Sequence, residues 1–465
     1  MFDFLASHLF SVTDGLFVAF TIDWVSSALL TGQSIWAAPL FYPQTHALAF
    51  SQPFFTSGVI NLIFKLFSDN IILNSNLLFL LFTLLNFISS FFLAKLLFKS
   101  NLLAIFTAIL FAFSPLLLFF KIHLHIYLLW GINFSLYFFL KFIKIEKKIN
   151  LSWAAFFFLA QALNNPETAY FLGFIYAIFL FSRKVRLVLR KNWQFILLVG
   201  LLTFLTLFIF YWPYWQVSQQ LNFKRSIRDA AHFSAGLEKL LDPNILFFSF
   251  LVMFLFKKQK NKFTYQNIFL AITVLGLIMM LGPVVKINQH TLKIFSLPIP
   301  LPYTIFYYLI PGFNAFRASA RWIVLFIFGS SFYLGYLLKK SNNKQILALL
   351  TLVLIFNIYQ IKRGSPIFKI NTKIPEIYQI IKNRPETSLL ELPVFSLADP
   401  LVEKESYRLY YQRYHSKKLI NGYSGFAPSL QMEQAELVLV NTDLYHDQID
   451  KKLVTCQENY CLYQR

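Results

Sequence analysis

Between Ile72 and Tyr359 the sequence divides into ten apolar stretches, and Lys and Arg gather in every second connection between them. A bilayer core of ~30 Å requires about 20 apolar residues as helix. Stretches 72–98, 101–120, 125–144, 193–212, 264–284 and 318–338 have that length, while 150–163, 168–182, 244–256 and 345–361 are shorter. The pattern predicts an α-helical polytopic membrane protein with about ten transmembrane helices. Basic groups at 95–99, 141–148, 183–191, 257–262 and 339–344 each follow an odd-numbered span. The positive-inside rule therefore puts these five loops in the cytoplasm. Outer loops 1–53, 213–243 and 286–316, the turns at 121–124 and 164–167, and everything from Lys362 onward then face the other side.

The net charge of +21 has the same origin. Residues 1–361 hold 28 Lys and Arg against 9 Asp and Glu, and 18 of the 28 lie in the five inner loops. Beyond them the balance is nearly even, 14 against 12. The basic character thus reports orientation in a lipid bilayer and excludes a nucleic-acid footprint. The opening MFDFLASHLF has no basic start and too short an apolar run for a cleavable signal.

Composition changes once, at Lys362-Arg363-Gly364-Ser365-Pro366. After it, strand-length runs such as SLLELPVF and ELVLVNT alternate with helical patterns, which predicts a small α/β domain over 362–465 docked on the polytopic domain 1–361. The two cysteines, Cys456 and Cys461, flank QENY. They stand opposite one another if the segment is a hairpin, either bonded in an oxidising compartment or as free thiols.

Acidic residues in the membrane part are scarce enough to weigh singly. Asp14 and Asp23 lie nine apart in SVTDGLFVAFTIDW, with one of them expected to be structural. Glu167 lies in NNPET, where it serves either as a first-turn acid after Pro166 or as a functional carboxylate near membrane depth. His123 and His125 sit at the mouth of two spans. With a carboxylate they would suit a divalent ion, but the spacing equally fits packing and nothing in the sequence requires a metal. Arg317 and Arg321, at i and i+4 in FNAFRASARW, are expected on one helical face as a phosphate site, with interfacial snorkelling as the alternative. Lys224, Arg225 and Arg228 form a second basic cluster.

The runs TDGLF, APLFYPQTHALAFSQP and LFAFSPLLLFFKIHLH, followed by LPYTIFYYLIPGFNAFRASARW, LLELPVF and YHSKKLINGYSGFAP, resemble bacterial multi-span proteins related to GT-C type glycosyltransferases. The resemblance covers nearly the whole chain. It implies a membrane glycosyltransferase that moves a sugar from a polyprenyl-phosphate donor to a glycan, lipid or protein acceptor at the extracytoplasmic face of the bacterial cell membrane. It also implies an essential aspartate in the first outer loop, a place held here by Asp14. A spanning helix would precede that loop, and none is visible before Asp14. Ser51-Gln52 occupies the position of a Ser–acid pair. On this reading Asp14 is the base, with Asp23 and Glu167 next in line, and Arg317, Arg321 and His123 hold the donor phosphate. A lipid-linked glycan transporter without a base, and a non-catalytic scaffold or glycan-binding protein of envelope assembly, are the other expectations.

Overall fold

The computed structural model describes residues 2–222, 225–255, 264–362, 366–449 and 451–464. The basic turn at 257–262, Lys224 and residues 363–365 of the expected boundary lie outside the described residues. The protein is mostly helical, and seven described helical segments are long and apolar enough to cross a membrane. Six coincide with expected stretches: Ile71–Phe98, Asn101–Ile122, Leu124–Ile145, Trp193–Gln220, Ser319–Lys340 and Asn343–Ile361. The other four stretches form the shorter helices Lys148–Asn164, Pro166–Phe179, Pro243–Leu255 and Tyr265–Met280. Several helix lengths differ from expectation. The helix expected to reach 284 stops at Met280, and the one expected to be short runs from Asn343 to Lys362.

The Ile71–Phe98 helix sets the axis of the bundle. Asn70 caps it by accepting from the amides of Ile72 and Leu73. Its 28 residues carry it about 42 Å at 1.5 Å per residue. Arg413 of the C-terminal domain donates to the Asp69 carbonyl at 3.1 Å, so the helix begins at that domain and Phe98 lies at the far side. The four described basic turns collect at that far side. Phe98 meets Tyr336, bringing together the turns at 95–99 and 339–344, and Lys191 pairs with Glu146 at 2.8 Å across two more. The Trp193–Gln220 helix presents Leu197, Leu201, Phe204 and Phe208 outward, a surface suited to lipid. It does not end at 212 as the apolar run suggested. It continues through Pro213, steadied by the hydroxyls of Tyr211 and Tyr214, which donate to the carbonyls of Ala162 and Ser51.

The seventh apolar helix, Thr13–Thr31, lies within the expected outer loop 1–53. Its two acids meet the C-terminal domain nine residues apart, Asp14 at Tyr423 and Asp23 at Arg413. The helix therefore runs along that domain instead of away from it. It packs on the helix Phe55–Lys65 at Gly58, where a Cβ would lie 2.4 Å from a methyl of Val25, and Ser26 donates to the Gly58 carbonyl at 2.9 Å. Close approach here needs glycine.

In the C-terminal domain, strands β1 (Ser388–Leu392), β2 (Lys418–Leu419), β3 (Leu437–Asn441), β4 (Lys452–Gln457) and β5 (Tyr460–Gln464) form one sheet in the order β4-β5-β3-β1-β2. β1 pairs in parallel with both β2 and β3, while β5 is antiparallel to β3 and β4. Every residue of β3 is buried, so LVLVN reads as a continuous run instead of an alternation. Cys456 and Cys461 face each other across the β4–β5 hairpin and are disulfide-bonded. The core does not follow the 361/362 division. Phe17, Phe20, Leu40 and Phe50 share one apolar cluster with Ile377, Leu389, Leu409 and Leu437. The backbone joins as well, Phe41 donating to the Asn421 carbonyl at 3.0 Å and Tyr42 to that of Leu419 at 2.9 Å.

Candidate functional site

Where the membrane helices meet the C-terminal domain there is a cavity of about 1220 Å³. Its polar end is lined by Asp14, His123, His125, Glu167, Arg225, Arg317, Arg321 and Tyr423. Its other end is apolar, formed by Phe158 and Ala162, by Ala169, Gly173, Phe174 and Ala177, and by Leu207. These come from three helices of the bundle: Lys148–Asn164, Pro166–Phe179 and Trp193–Gln220. One continuous space thus has a charged head and a greasy tail.

Asp14 stands in the first turn of its helix, where the backbone amides favour a carboxylate. Tyr423 donates to its Oδ1 at 2.7 Å, and the His123 Nδ1 lies 3.6 Å from its Oδ2. The carboxylate and the imidazole are each about one-third exposed, so both can meet a guest. Burial and then Arg321 push the His123 imidazolium below the ordinary histidine range, while Asp14 opposes them. Burial, reinforced by the Asp14 charge, raises the Tyr423 phenol, so it stays a donor at neutral pH.

The two arginines reach the cavity without the helix expected of them. Residues 316–318 are non-helical and Ser319–Trp322 is a short 3₁₀ turn, so the α-helix begins only at Ile323. The i, i+4 face and the helix-end dipole therefore do not account for their meeting. Arg321 donates to Glu167 Oε2 at 2.7 Å. Arg317 stacks 4.2 Å above the Phe233 ring and donates to the Gly425 carbonyl at 3.3 Å, a carbonyl that Arg225 also reaches at 3.2 Å. Three arginines and two carboxylates line the cavity, and Asp229, outside the lining, also acts on Arg225 and Arg317. Burial and then Arg317 bring Arg225 down to about 10, and burial and then Arg321 lower Arg317. Crowded cations of this kind favour an anion among them.

Glu167 is a first-turn acid whose side chain also lines the cavity. Pro166 begins the helix, Asn165 caps it by accepting from the Glu167 amide at 3.0 Å, and the carboxylate still points into the cavity. Its Oε2 holds Arg321 and its Oε1, buried, has no hydrogen-bond partner. Asp23 is placed elsewhere. Its carboxylate is clamped by Lys65 at 2.6 Å and Arg413 at 2.7 Å and does not line the cavity, so of the two N-terminal acids it is the structural one. Arg228 does not line it either, whereas Arg225 does. Among the described residues no three His, Cys, Asp or Glu side chains gather in a metal-holding group. Sequence reasoning missed Tyr423 as a site residue. It lay in the quoted run NGYSGFAP, but nothing local ties it to Asp14.

The architecture defines a membrane protein with an amphipathic cavity roofed by a small α/β domain. No family model matches the chain, and no curated protein matches it significantly.

Proposed function

We propose that the protein is a membrane glycosyltransferase of the GT-C type, taking its sugar from a polyprenyl-phosphate donor at the extracytoplasmic face. The observation that carries this reading is the single cavity joining a carboxylate, three arginines and an apolar groove between bundle helices. The groove takes the prenyl chain, Arg317 and Arg225 hold the phosphate, and the sugar lies beside Asp14. Asp14 accepts the proton of the acceptor hydroxyl as its oxygen bonds to the anomeric carbon. The bond from that carbon to the phosphate oxygen breaks, and its electron pair leaves with the lipid phosphate, whose charge the arginines offset. Tyr423 fixes the Asp14 carboxylate, and Glu167 orients Arg321. The far-side basic turns and the disulfide-bonded hairpin support an outward placement of the C-terminal domain.

The test is Asp14→Asn in the full-length protein, assayed with radiolabelled polyprenyl-phosphate hexoses and pentoses and native envelope material as acceptor. An amide keeps the shape but accepts no proton, so transfer should fall at least ~100-fold while donor binding persists. Undiminished transfer would remove the base from this scheme. A protein that carries donor lipid across the bilayer regardless of the substitution would be a transporter.

A further inference from the structure

The C-terminal domain has a crevice of its own, which the transfer scheme does not use. From β1 the chain passes through the helix Glu403–His415 to β2 on one side, then returns to β3 on the other side of β1. Parallel neighbours whose connections leave in opposite directions open a crevice beyond their carboxyl ends, where ligands of α/β sheets bind. A cavity of about 410 Å³ lies at that place, within the ~300–1,000 Å³ of small-molecule sites. Glu391 and Leu392 at the end of β1 and Asn441 at the end of β3 line it.

We infer that this crevice binds a neutral saccharide unit, with the Glu391 carboxyl and Asn441 engaging its hydroxyls and Tyr407 and Tyr460 covering its carbon face. Glu391 is 3% exposed. Its Oε2 accepts from Tyr378 at 2.7 Å and lies 3.4 Å from Arg408, while its Oε1 has no partner. Glu391 lines the cavity, and a buried carboxyl oxygen without a partner costs stability unless something fills it. Burial pushes the Glu391 carboxyl up to about 7, against the pull of Arg408, so the protonated group is available to donate as well as accept. A sugar hydroxyl, which does both, matches it. Tyr407 and Tyr460 are partly exposed at the cavity wall, and the negative face of such a ring suits the C–H side of a pyranose.

A nucleotide is a poorer guest. β1 is followed by Pro393-Val394-Phe395, without glycines, and the Phe395 amide is already donated to Glu405 at 3.0 Å, so no backbone cradle for phosphate exists there.

The inference stands apart from the transfer reaction and is tested by binding. Full-length protein in a zwitterionic detergent free of sugar headgroups is mixed in turn with glucose, galactose, mannose, N-acetylglucosamine and N-acetylgalactosamine. Binding is followed by saturation-transfer NMR. At least one sugar should receive saturation on its ring protons. Glu391→Gln and Tyr407→Leu, each confirmed folded by its thermal melt, should weaken that sugar at least tenfold, and Asp14→Asn should leave it unchanged. No transfer to any of the five at about 10 mM, ten times a millimolar Kd, overturns the proposal. So does a signal lost in Asp14→Asn but kept in Glu391→Gln and Tyr407→Leu, which would put the sugar in the transfer cavity.

Discussion

At the scale of single residues, Arg317 and Arg321 look alike in sequence and differ in what they touch. Arg321 holds the buried Glu167, whose side chain is only 4% exposed. Arg321→Leu strips that carboxylate of its counter-charge and should cost roughly 3–5 kcal/mol, read as a lower melting temperature in detergent. Arg317 rests on a phenyl ring and a carbonyl, so Arg317→Lys should melt as wild type. It loses the planar fork that grips phosphate oxygens, and donor affinity should weaken by ~1–3 kcal/mol. Equal melting points for Arg321→Leu and wild type would dissolve the distinction. Sequence marked both residues as cationic but could not separate them, because the partner of one lies 154 positions away. The same holds for Asp14 and Asp23. Nine residues are two and a half turns of helix and set them on opposite faces without assigning either a role, and only the approach of Tyr423 to one and Arg413 to the other divides them.

At the scale of elements, the Thr13–Thr31 helix is held to the C-terminal domain by the Lys65–Asp23–Arg413 clamp. Asp23→Asn leaves two cations facing each other. We expect ~3 kcal/mol of lost stability, the lower end for a broken buried pair because Arg413 keeps about a quarter of its side chain exposed. Protease sensitivity of the 32–54 segment should rise in parallel. Within the domain, buried carboxyls and a buried histidine respond to pH with opposite sign, burial raising Glu405 as well as Glu391. Glu391, raised to about 7, contributes stability that is full below its unfolded pKa and lost as pH rises through 7. His415, held down to about 3 by burial and then Lys417, contributes stability present above 6.5 and lost on acidification. Glu391→Gln removes the first and leaves the second. Hydrogen-exchange protection of Leu437–Asn441 should therefore fall more steeply from pH 7 to 5 in the variant than in wild type, and an unchanged slope would contradict the assignment. Helices of the bundle were legible because hydropathy alone makes them. Their ends were not, since Tyr211 and Tyr214 carry one helix past Pro213 through contacts with distant carbonyls.

At the scale of the whole molecule, the proposed placement across the bilayer rests on the far-side basic turns. Both native cysteines are bonded, so added thiols report cleanly. Cysteines at the exposed positions Lys147 and Glu433 should be labelled only from the cytoplasm and only from outside, respectively. Labelling of Glu433→Cys from the inside would invert the topology. The change of composition near 362 was visible in sequence, whereas the shared core was not, since Phe17 and Leu437 belong to different stretches of chain. That sharing bears on how the protein is made. Asp14 must wait for Tyr423, 409 residues later, roughly 20–80 s at about 5–20 residues per second of synthesis. Throughout that interval the apolar side of the first helix has been translated and its cover has not. The site is therefore assembled only after Tyr423 has been made.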